Sequence, residues 1–177
     1  MSVSPTKSSR DLVLDIETTA ADPFDPMGGP AGAKTIETGG DNLFHVRALY
    51  LDLELTCWNA PPPLGMKPEI IEIGLVELDL VNLHITRKAS CFVRPRRWEI
   101  SDKCAKLTGI TSDEIRKAKP FDEALPALLK KFGPTDALCC TWGDDVAMLN
   151  RACTSFGLIS PFTRQMDLCK LFRVRSS

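Results

Sequence analysis

The segment ALYLDLELTCW, residues 48–58, alternates apolar and polar side chains through most of its length. This alternation predicts a β-strand, because successive side chains of a strand point to opposite faces. The apolar face would consist of Leu49, Leu51, Leu53 and Leu55. The polar face would carry Tyr50, Asp52, Glu54 and Thr56. Asp52 and Glu54 would then stand roughly 6.5 Å apart along the strand, and two such carboxylates can share a divalent metal.

The L-D-L-E-L pattern taken alone is also typical of an ordinary amphipathic strand with a solvated polar face. The metal hypothesis therefore depends on the rest of the chain.

The composition predicts one intracellular globular domain. The chain has 177 residues, 44% of them hydrophobic, and this length allows a core of its own. Lys and Arg number 22 against 23 Asp and Glu, so any nucleic-acid binding must come from a local surface. The seven cysteines form no C-x-x-C pair, which favours reduced thiols and a cytoplasmic protein. Neither a signal peptide nor a membrane-length apolar run is present in the sequence, so no membrane association is expected.

Residues 1–46 are predicted to be a flexible N-terminal appendage, and residues 47–177 to be the folded domain. Asp11–Thr19 (DLVLDIETT) repeats the two-acid pattern with Asp15 and Glu17, and a stretch rich in Gly, Pro and Ala follows it. Asp15 and Glu17 are therefore kept as a rival site.

The chain after the first strand predicts an antiparallel meander. A proline-rich segment, residues 59–68, keeps the chain extended. Glu69–Leu80 then forms a nearly continuous apolar strand, and Leu83–Val93 forms its hairpin partner across the turn at Val81-Asn82.

The remaining chain predicts alternating helices and strands, and hence a mixed α/β fold. The predicted elements are a helix from Ser101, a helix opened by a capping box of Thr111 and Glu114, a helix capped by Asp122, a strand within residues 135–142, and a helix that begins at Gly143-Asp144-Asp145 and ends at Gly157. Met166–Val174 is one last apolar element, a strand or a helix.

The order of these motifs resembles the DEDDh-type 3'-to-5' exonucleases of the ribonuclease H-like superfamily. The motifs are L-D-L-E-L-T-C, I-I-E-I-G-L-V, F-V-R-P, S-D-x-C-x-x-L-T-G-I-T and T-W-G-D-D. The branch that trims RNA 3' ends, together with its bacterial relatives, is the most similar. The resemblance covers residues 47–173 and implies an α/β fold of the ribonuclease H-like type, a mixed sheet flanked by helices.

The resemblance also implies the acids of the site. Asp52 and Glu54 match the two acids of the first motif. Asp145 matches the acid of the second motif, because Leu149 and Cys153 follow it at helical spacing. The family's usual second motif has one more residue after the glycine, so Asp144 is an alternative. Either aspartate could instead cap the helix.

By resemblance, the chain is expected to be a hydrolase that removes nucleotides from the 3' end of single-stranded nucleic acid, with RNA favoured over DNA as the substrate. Two Mg²⁺ or Mn²⁺ ions would be held by Asp52, Glu54 and Asp145, with Asp52 bridging both. Leu107, Thr108 and Trp142 are expected to contact the nucleic acid, as apolar and aromatic groups do for single strands. Core packing is the alternative role for Trp142.

One family feature, a third motif with a histidine and an aspartate, is not matched. It should follow the D-L-x-x-L-F element at Asp167–Phe172, but the sequence ends at Ser177, and its only histidines are His45 and His84. The domain is therefore expected to lack the usual last helix. The alternative function is a catalytically degenerate member that binds nucleic acid or protein, and the uncovered sheet edge would favour a homodimer. An α/β domain whose acids are merely surface residues is the third hypothesis.

Overall fold

The computed structural model describes residues 47–59, 62, 65–133 and 136–175. The strands are β1 (Arg47–Leu55), β2 (Ile70–Asp79), β3 (His84–Arg94), β4 (Lys119–Pro120), β5 (Leu138–Thr141) and β6 (Gln165–Asp167). The helices are α1 (Asp102–Thr108), α2 (Ser112–Lys117), α3 (Phe121–Leu129), α4 (Asp145–Ser155) and α5 (Leu168–Arg175). The predicted appendage, residues 1–46 with Asp15 and Glu17, lies outside the described residues.

The six strands form one mixed sheet in the order β4-β3-β2-β1-β5-β6. β1, β2 and β3 pair antiparallel, which confirms the predicted meander. β5 pairs parallel to β1, and β6 pairs parallel to β5. The predicted mixed α/β sheet flanked by helices is therefore confirmed.

The alternation in β1 produces the expected two faces. Leu49, Leu51 and Leu53 are buried in the main core, where they pack with residues of α3 and α4. Each fully buried leucine contributes about 1.5–3 kcal/mol relative to an exposed one. Asp52 is exposed and Glu54 is half-buried on the other face. The burial of the leucine face of β1 in the core fixes the position of the strand and of its two acids.

A bulge in β2 creates a second, smaller core on the polar face of the sheet. Glu54 pairs with Glu72 and Leu55 pairs with Ile70, so Ile71 is the extra residue in β2. Bulges re-aim side chains, and Ile71 packs with Cys104, Ile110 and Ile115 from the α1–α2 region. This cluster fixes α1 beside the end of β1 that carries the acids.

Local capping residues set the ends of α1 and α2. The Ser101 hydroxyl accepts a hydrogen bond from the Cys104 N–H at 3.1 Å, and α1 ends at Gly109 in the left-handed region, with φ 70°. Thr111 and Glu114 form the predicted capping box of α2.

The start of α3 differs from the prediction. The N-cap is Pro120, and the helix begins at Phe121, so the prediction that Asp122 caps it is wrong. The physical reason is strand pairing: Pro120 of the short strand β4 pairs with Arg94 of β3, and β4 ends where buried Phe121 enters the core.

The last apolar element also differs from the prediction, because it contains both a strand, β6, and a helix, α5.

All seven cysteines are free thiols, as predicted. In the part of the chain that the structure describes, no helix combines the length and the apolar character needed to span a bilayer.

Candidate active site

The two acidic motifs meet where β5 stops short of the end of β1. β5 pairs with β1 only from Ala48 to Tyr50, and then ends at Thr141. The chain turns through residues 142–144 into α4, whose first residue is Asp145. The backbone N–H of Leu53, beyond the last β5 pair, donates a hydrogen bond to the Asp145 carboxylate. The start of α4 thus covers the stretch of β1 that carries the acids.

Asp145 lies within electrostatic reach of the first motif. Burial raises the pKa of Asp145 from 3.8 to about 6, and the negative charges of Asp52 and Asp144 add to the rise. The hydrogen bond from the Leu53 N–H opposes the rise, because it favours the ionised carboxylate. The structure therefore brings together Asp52 and Asp145, which belong to separate sequence motifs.

Glu54 lies on the same face of β1 as Asp52 and points toward α1. It stands directly across from Glu72 of β2. Burial raises the pKa of the Cys104 thiol in α1 to about 11, and the charge of Glu54 contributes to this rise. Glu54 thus lies near α1, and Asp52, two residues before it in β1, lies within electrostatic reach of Asp145 at the start of α4.

Asp144 occupies the N-cap position of α4, but its exposed side chain makes no capping hydrogen bond. The capping role considered for Asp144 is therefore not found. Its charge acts on the neighbouring Asp145 instead.

Trp142 lies at the rim of the site and is exposed over 59% of its surface, so core packing is excluded as its role. Its ring centroid lies 6.0 Å from that of Phe172 in α5, with the two rings tilted by 49°. Phe172 is itself exposed over 62% of its surface. The two aromatic side chains form a solvent-facing pair beside the acids.

Leu107 and Thr108 differ in accessibility although they are adjacent. Leu107 is exposed over 64% of its surface and lines a cleft with Asn59, Lys103 and Lys106. Thr108 is buried, and its hydroxyl donates to the Cys104 carbonyl at 2.9 Å and accepts from the Ile110 N–H at 3.1 Å. Thr108 thus stabilises the turn that presents Leu107.

Asp167 belongs to this neighbourhood, although sequence reasoning gave it no role. Its Oδ1 accepts a hydrogen bond from the Gly143 N–H at 3.1 Å, and its charge is one of those that raise the pKa of Asp145. No local pattern signals this contact, because Asp167 and Gly143 are 24 residues apart in the chain.

The comparisons with known proteins identify the family. The family model described as exonuclease matches residues 49–171. The chain belongs to this exonuclease family. The match contains most of β1 with both of its acids, the turn at Gly143 and the first half of α5.

Two mammalian exonuclease relatives match part of the chain. Human 3'-5' exoribonuclease 1 is 39% identical over 82 residues, which cover 46% of this chain and 22% of the human protein. The mouse 3'-5' exoribonuclease 1 is 32% identical over 96 residues, which cover 54% of this chain and 26% of the mouse protein. The chain therefore matches only about a quarter of the length of these relatives.

Solved structures show the same exonuclease fold. The nuclease domain of 3'hExo, a DEDDh family member bound to rAMP, aligns with a TM-score of 0.59 at 30% identity over 67% of this chain and 64% of that chain. A 3'-exonuclease that recognises the 3' end of the histone mRNA stem-loop aligns with a TM-score of 0.57 at 31% identity over 66% of this chain and 55% of that chain. Cell-death related nuclease 4 shares the fold, with a TM-score of 0.61 at 19% identity over 73% of this chain and 47% of that chain. The predicted resemblance to DEDDh exonucleases is confirmed.

Exonucleases of this kind generally depend on divalent metal, and the acids of this chain fit one in their chemistry. Asp52, Glu54 and Asp145 offer only carboxylate oxygens, the donors that hard divalent cations prefer. The raised pKa of Asp145, set first by burial and then by its acidic neighbours, shows a carboxylate that a cation would stabilise in its ionised form. Among the described residues, no group of three or more His, Cys, Asp or Glu side chains is arranged so that it could hold a metal ion.

Proposed function

We propose that this chain is a divalent-metal-dependent exonuclease that removes nucleotides from the 3' end of single-stranded nucleic acid, with RNA as the preferred substrate. The observation that carries the proposal is the position of Asp145, which accepts a hydrogen bond from the Leu53 N–H between the two acids of β1. Membership of the exonuclease family supports hydrolysis of phosphodiester bonds. The human exoribonuclease and the histone mRNA complex favour RNA as the substrate class.

Asp52, Glu54 and Asp145 would hold Mg²⁺ or Mn²⁺, and the family resemblance implies that Asp52 would be shared by two ions. Bound there, the ions would polarise the phosphate and lower the pKa of a water molecule. Asp144 is the alternative to Asp145 as the acid of the second motif. The site is proposed to work by assembling carboxylates on one rigid strand and one helix end.

The start of α4 would also bind the phosphate. An eleven-residue helix presents unsatisfied N–H groups and a partial positive charge at its first turn, which favour an anion. Trp142, just before this helix, would stack on the terminal base, and Leu107 would contact the base from the α1 side.

No histidine in the described residues is placed to act as the general base. His84 pairs with Asp79, whereas Glu54 pairs with Glu72. These two ends of β2 lie roughly 24 Å apart at the rise of about 3.4 Å per residue. A positioned base typically contributes about 10²- to 10⁴-fold to the rate, so we expect slow turnover from this chain by itself.

The test is degradation of a 5'-labelled single-stranded RNA and of its DNA counterpart, with Mg²⁺ or Mn²⁺ compared with EDTA. The proposal expects a metal-dependent ladder that shortens from the 3' end, with RNA degraded faster. Asp52→Ala should abolish the ladder, and Asp15→Ala, at the rival site, serves as the matched control that should retain it.

Three outcomes would contradict the proposal. Loss of the ladder in Asp15→Ala with retention in Asp52→Ala would transfer the site to residues 11–19. Bound RNA that is never shortened would identify a binding protein without catalysis. Faster degradation of DNA than of RNA would overturn the substrate preference alone.

A further inference from the structure

One carboxylate, that of Asp167, ties together the turn before α4 and the start of α5. Its Oδ1 accepts hydrogen bonds from the N–H groups of Gly143 at 3.1 Å, Cys169 at 2.9 Å and Lys170 at 3.3 Å. Its Oδ2 lies 3.2 Å from the Lys170 ammonium. Asp167 also pairs with Thr141, so the last residue of β6 lies beside the last residue of β5.

The turn that Asp167 holds needs an external support. Gly143 has a φ of 104°, in the region that favours glycine, and glycine is the most conformationally free residue. Its carbonyl accepts from the Thr141 hydroxyl at 3.1 Å, and its N–H donates to Asp167. Both backbone polar groups of Gly143 are thus fixed by the adjacent ends of β5 and β6. The chain leaves this fixed point and reaches Asp145 two residues later.

Asp167 is not available as a further metal ligand. Its Oδ1 already accepts three N–H groups, and its Oδ2 is paired with an ammonium. Burial acts to raise the pKa of Asp167, but the hydrogen bonds from Lys170 and Gly143 outweigh it and hold the pKa below its usual range. The carboxylate is therefore ionised and engaged within the fold.

We propose that Asp167 is a positioning residue of the active site, which fixes the turn at Gly143 and thereby holds the Asp145 carboxylate against the Leu53 N–H of β1. The effect of Asp167 on catalysis rests on the exonuclease function proposed above. Small displacements of catalytic groups, of about 1 Å, can cost about 10²-fold in rate. Asp167 would therefore act on catalysis without touching the substrate.

The decisive variant is Asp167→Ser. Serine is a good N-cap and keeps a hydroxyl for the first turn of α5, but its side chain is one atom shorter and does not extend to Gly143. Amide hydrogen exchange, resolved by residue, should accelerate at Gly143 and Leu53 by about fivefold or more, the change expected for loss of one ordinary hydrogen bond. The amides of Cys169 and Lys170 should keep their protection. In the 3'-end assay, kcat should fall by about 10- to 100-fold with little change in KM.

Two further variants complete the test. Asp167→Asn keeps an oxygen that can accept the hydrogen bond from the Gly143 N–H. This variant should therefore retain slow amide exchange, and its kcat should lie within about threefold of the wild-type value. Lys170→Ala removes the ion pair and leaves the Gly143 contact, and it should match the wild type. If Asp167→Ser does not fold, the exchange of Gly143 and Leu53 in Asp167→Asn decides, because unprotected amides there would contradict the proposal.

Other results would overturn the positioning role. If Asp167→Ser accelerates exchange only in α5, or leaves kcat unchanged in an active enzyme, then Asp167 is only a helix cap. An inactive wild-type chain would contradict the exonuclease function. The exchange of Gly143 and Leu53 would still decide whether Asp167 holds the turn.

Discussion

The backbone N–H of Leu53 donates a hydrogen bond to the carboxylate of Asp145. Leu53 lies between Asp52 and Glu54, so this contact joins the strand that carries the first two acids to the helix that carries the third. The contact exists because β1 continues beyond its last pair with β5, and a backbone N–H left without a strand partner needs another acceptor. Because β5 is shorter than β1, the start of α4 can pack against the part of β1 that carries Asp52 and Glu54.

Asp145→Asn should stabilise the metal-free protein at high pH. Burial first, and then the neighbouring carboxylates, raise the pKa of Asp145 to about 6, above its unfolded value of 3.8. A raised pKa favours the folded state at pH values below about 4, and this contribution is lost as the pH rises through 6. Asparagine can still accept from Leu53 and carries no charge. After allowance for solvent screening, we expect a gain of about 1 kcal/mol at pH 8.

This gain is measured by urea unfolding in EDTA at pH 4 and pH 8. The two proteins should be equally stable at pH 4, where Asp145 is largely protonated. Saturating Mn²⁺ should reverse the order at pH 8, because only the carboxylate gains from the cation. Equal stability at pH 8 in EDTA would show that burial and the neighbouring carboxylates do not raise the pKa of Asp145.

Asp144→Ala and Asp145→Ala form a matched pair that identifies the acid of the second motif. Loss of Asp145 should lower kcat/KM by more than about 100-fold, since even residues that merely support metal ligands cost 10- to 100-fold. Asp144 is exposed and makes no capping hydrogen bond, so its removal should change kcat/KM by less than about threefold. The 5'-labelled RNA assay measures both. The reverse order would assign the role to Asp144.

The sequence predicted those parts of the fold that local patterns determine. The alternation from Leu49 to Leu55 identified β1 and its two faces, and the pair Thr111 and Glu114 identified the start of α2. These features depend on residues within a few positions of each other. The ordered motifs then indicated the family, because such a series is specific to it.

The missed features all depend on contacts between distant segments. Pro120 caps α3 in place of the predicted Asp122 because it pairs with Arg94 of β3. The contact of Asp167 with Gly143 requires β5 and β6 to end side by side. The pairing of Trp142 with Phe172 requires α5 to lie beside the turn. None of these contacts has a local pattern from which it could be predicted.

Loss of Glu77 should destabilise the fold far more than loss of an exposed ion pair. Arg47 Nη1 lies 2.5 Å from Glu77 Oε2, and the two side chains are 20% and 8% exposed. The Thr86 hydroxyl also donates to Glu77, at 2.8 Å. Glu77→Ala removes the buried carboxylate beside Arg47, which then keeps only its 3.5 Å pair with the exposed Asp136 and its hydrogen bond to the Phe132 carbonyl, and we expect a cost of about 3 kcal/mol. Urea unfolding at pH 7 measures this cost.

The exposed pair of Asp113 and Arg116 is the control for Glu77. Both of its side chains are more than 70% exposed, so Asp113→Ala should cost less than about 1 kcal/mol. A cost for Glu77→Ala no larger than that for Asp113→Ala would show that the Arg47 pair contributes little to the fold.

Trp142→Ala should weaken binding of single-stranded RNA more than any other single change at the rim. Stacking on one base is worth about 1–3 kcal/mol, or about 5- to 150-fold in Kd. Phe172 lies 6.0 Å from the Trp142 ring, and aromatic pairs contribute about 0.5–1.5 kcal/mol. Phe172→Ala should therefore weaken binding about 2- to 10-fold by releasing the indole. Fluorescence anisotropy of a labelled RNA, in an Asp52→Ala background that prevents hydrolysis, measures Kd directly.

Leu171→Ala is the matched control for the aromatic pair, because Leu171 precedes Phe172 in α5 and is also exposed, over 50% of its surface. If orientation of the indole is what matters, Leu171→Ala should leave Kd within about twofold of the parent protein. The double variant of Trp142 and Phe172 should then bind no more weakly than Trp142→Ala alone, since Phe172 would act only through the indole. Equal losses from Leu171→Ala and Phe172→Ala would indicate instead that the whole apolar surface of α5 contacts the nucleic acid.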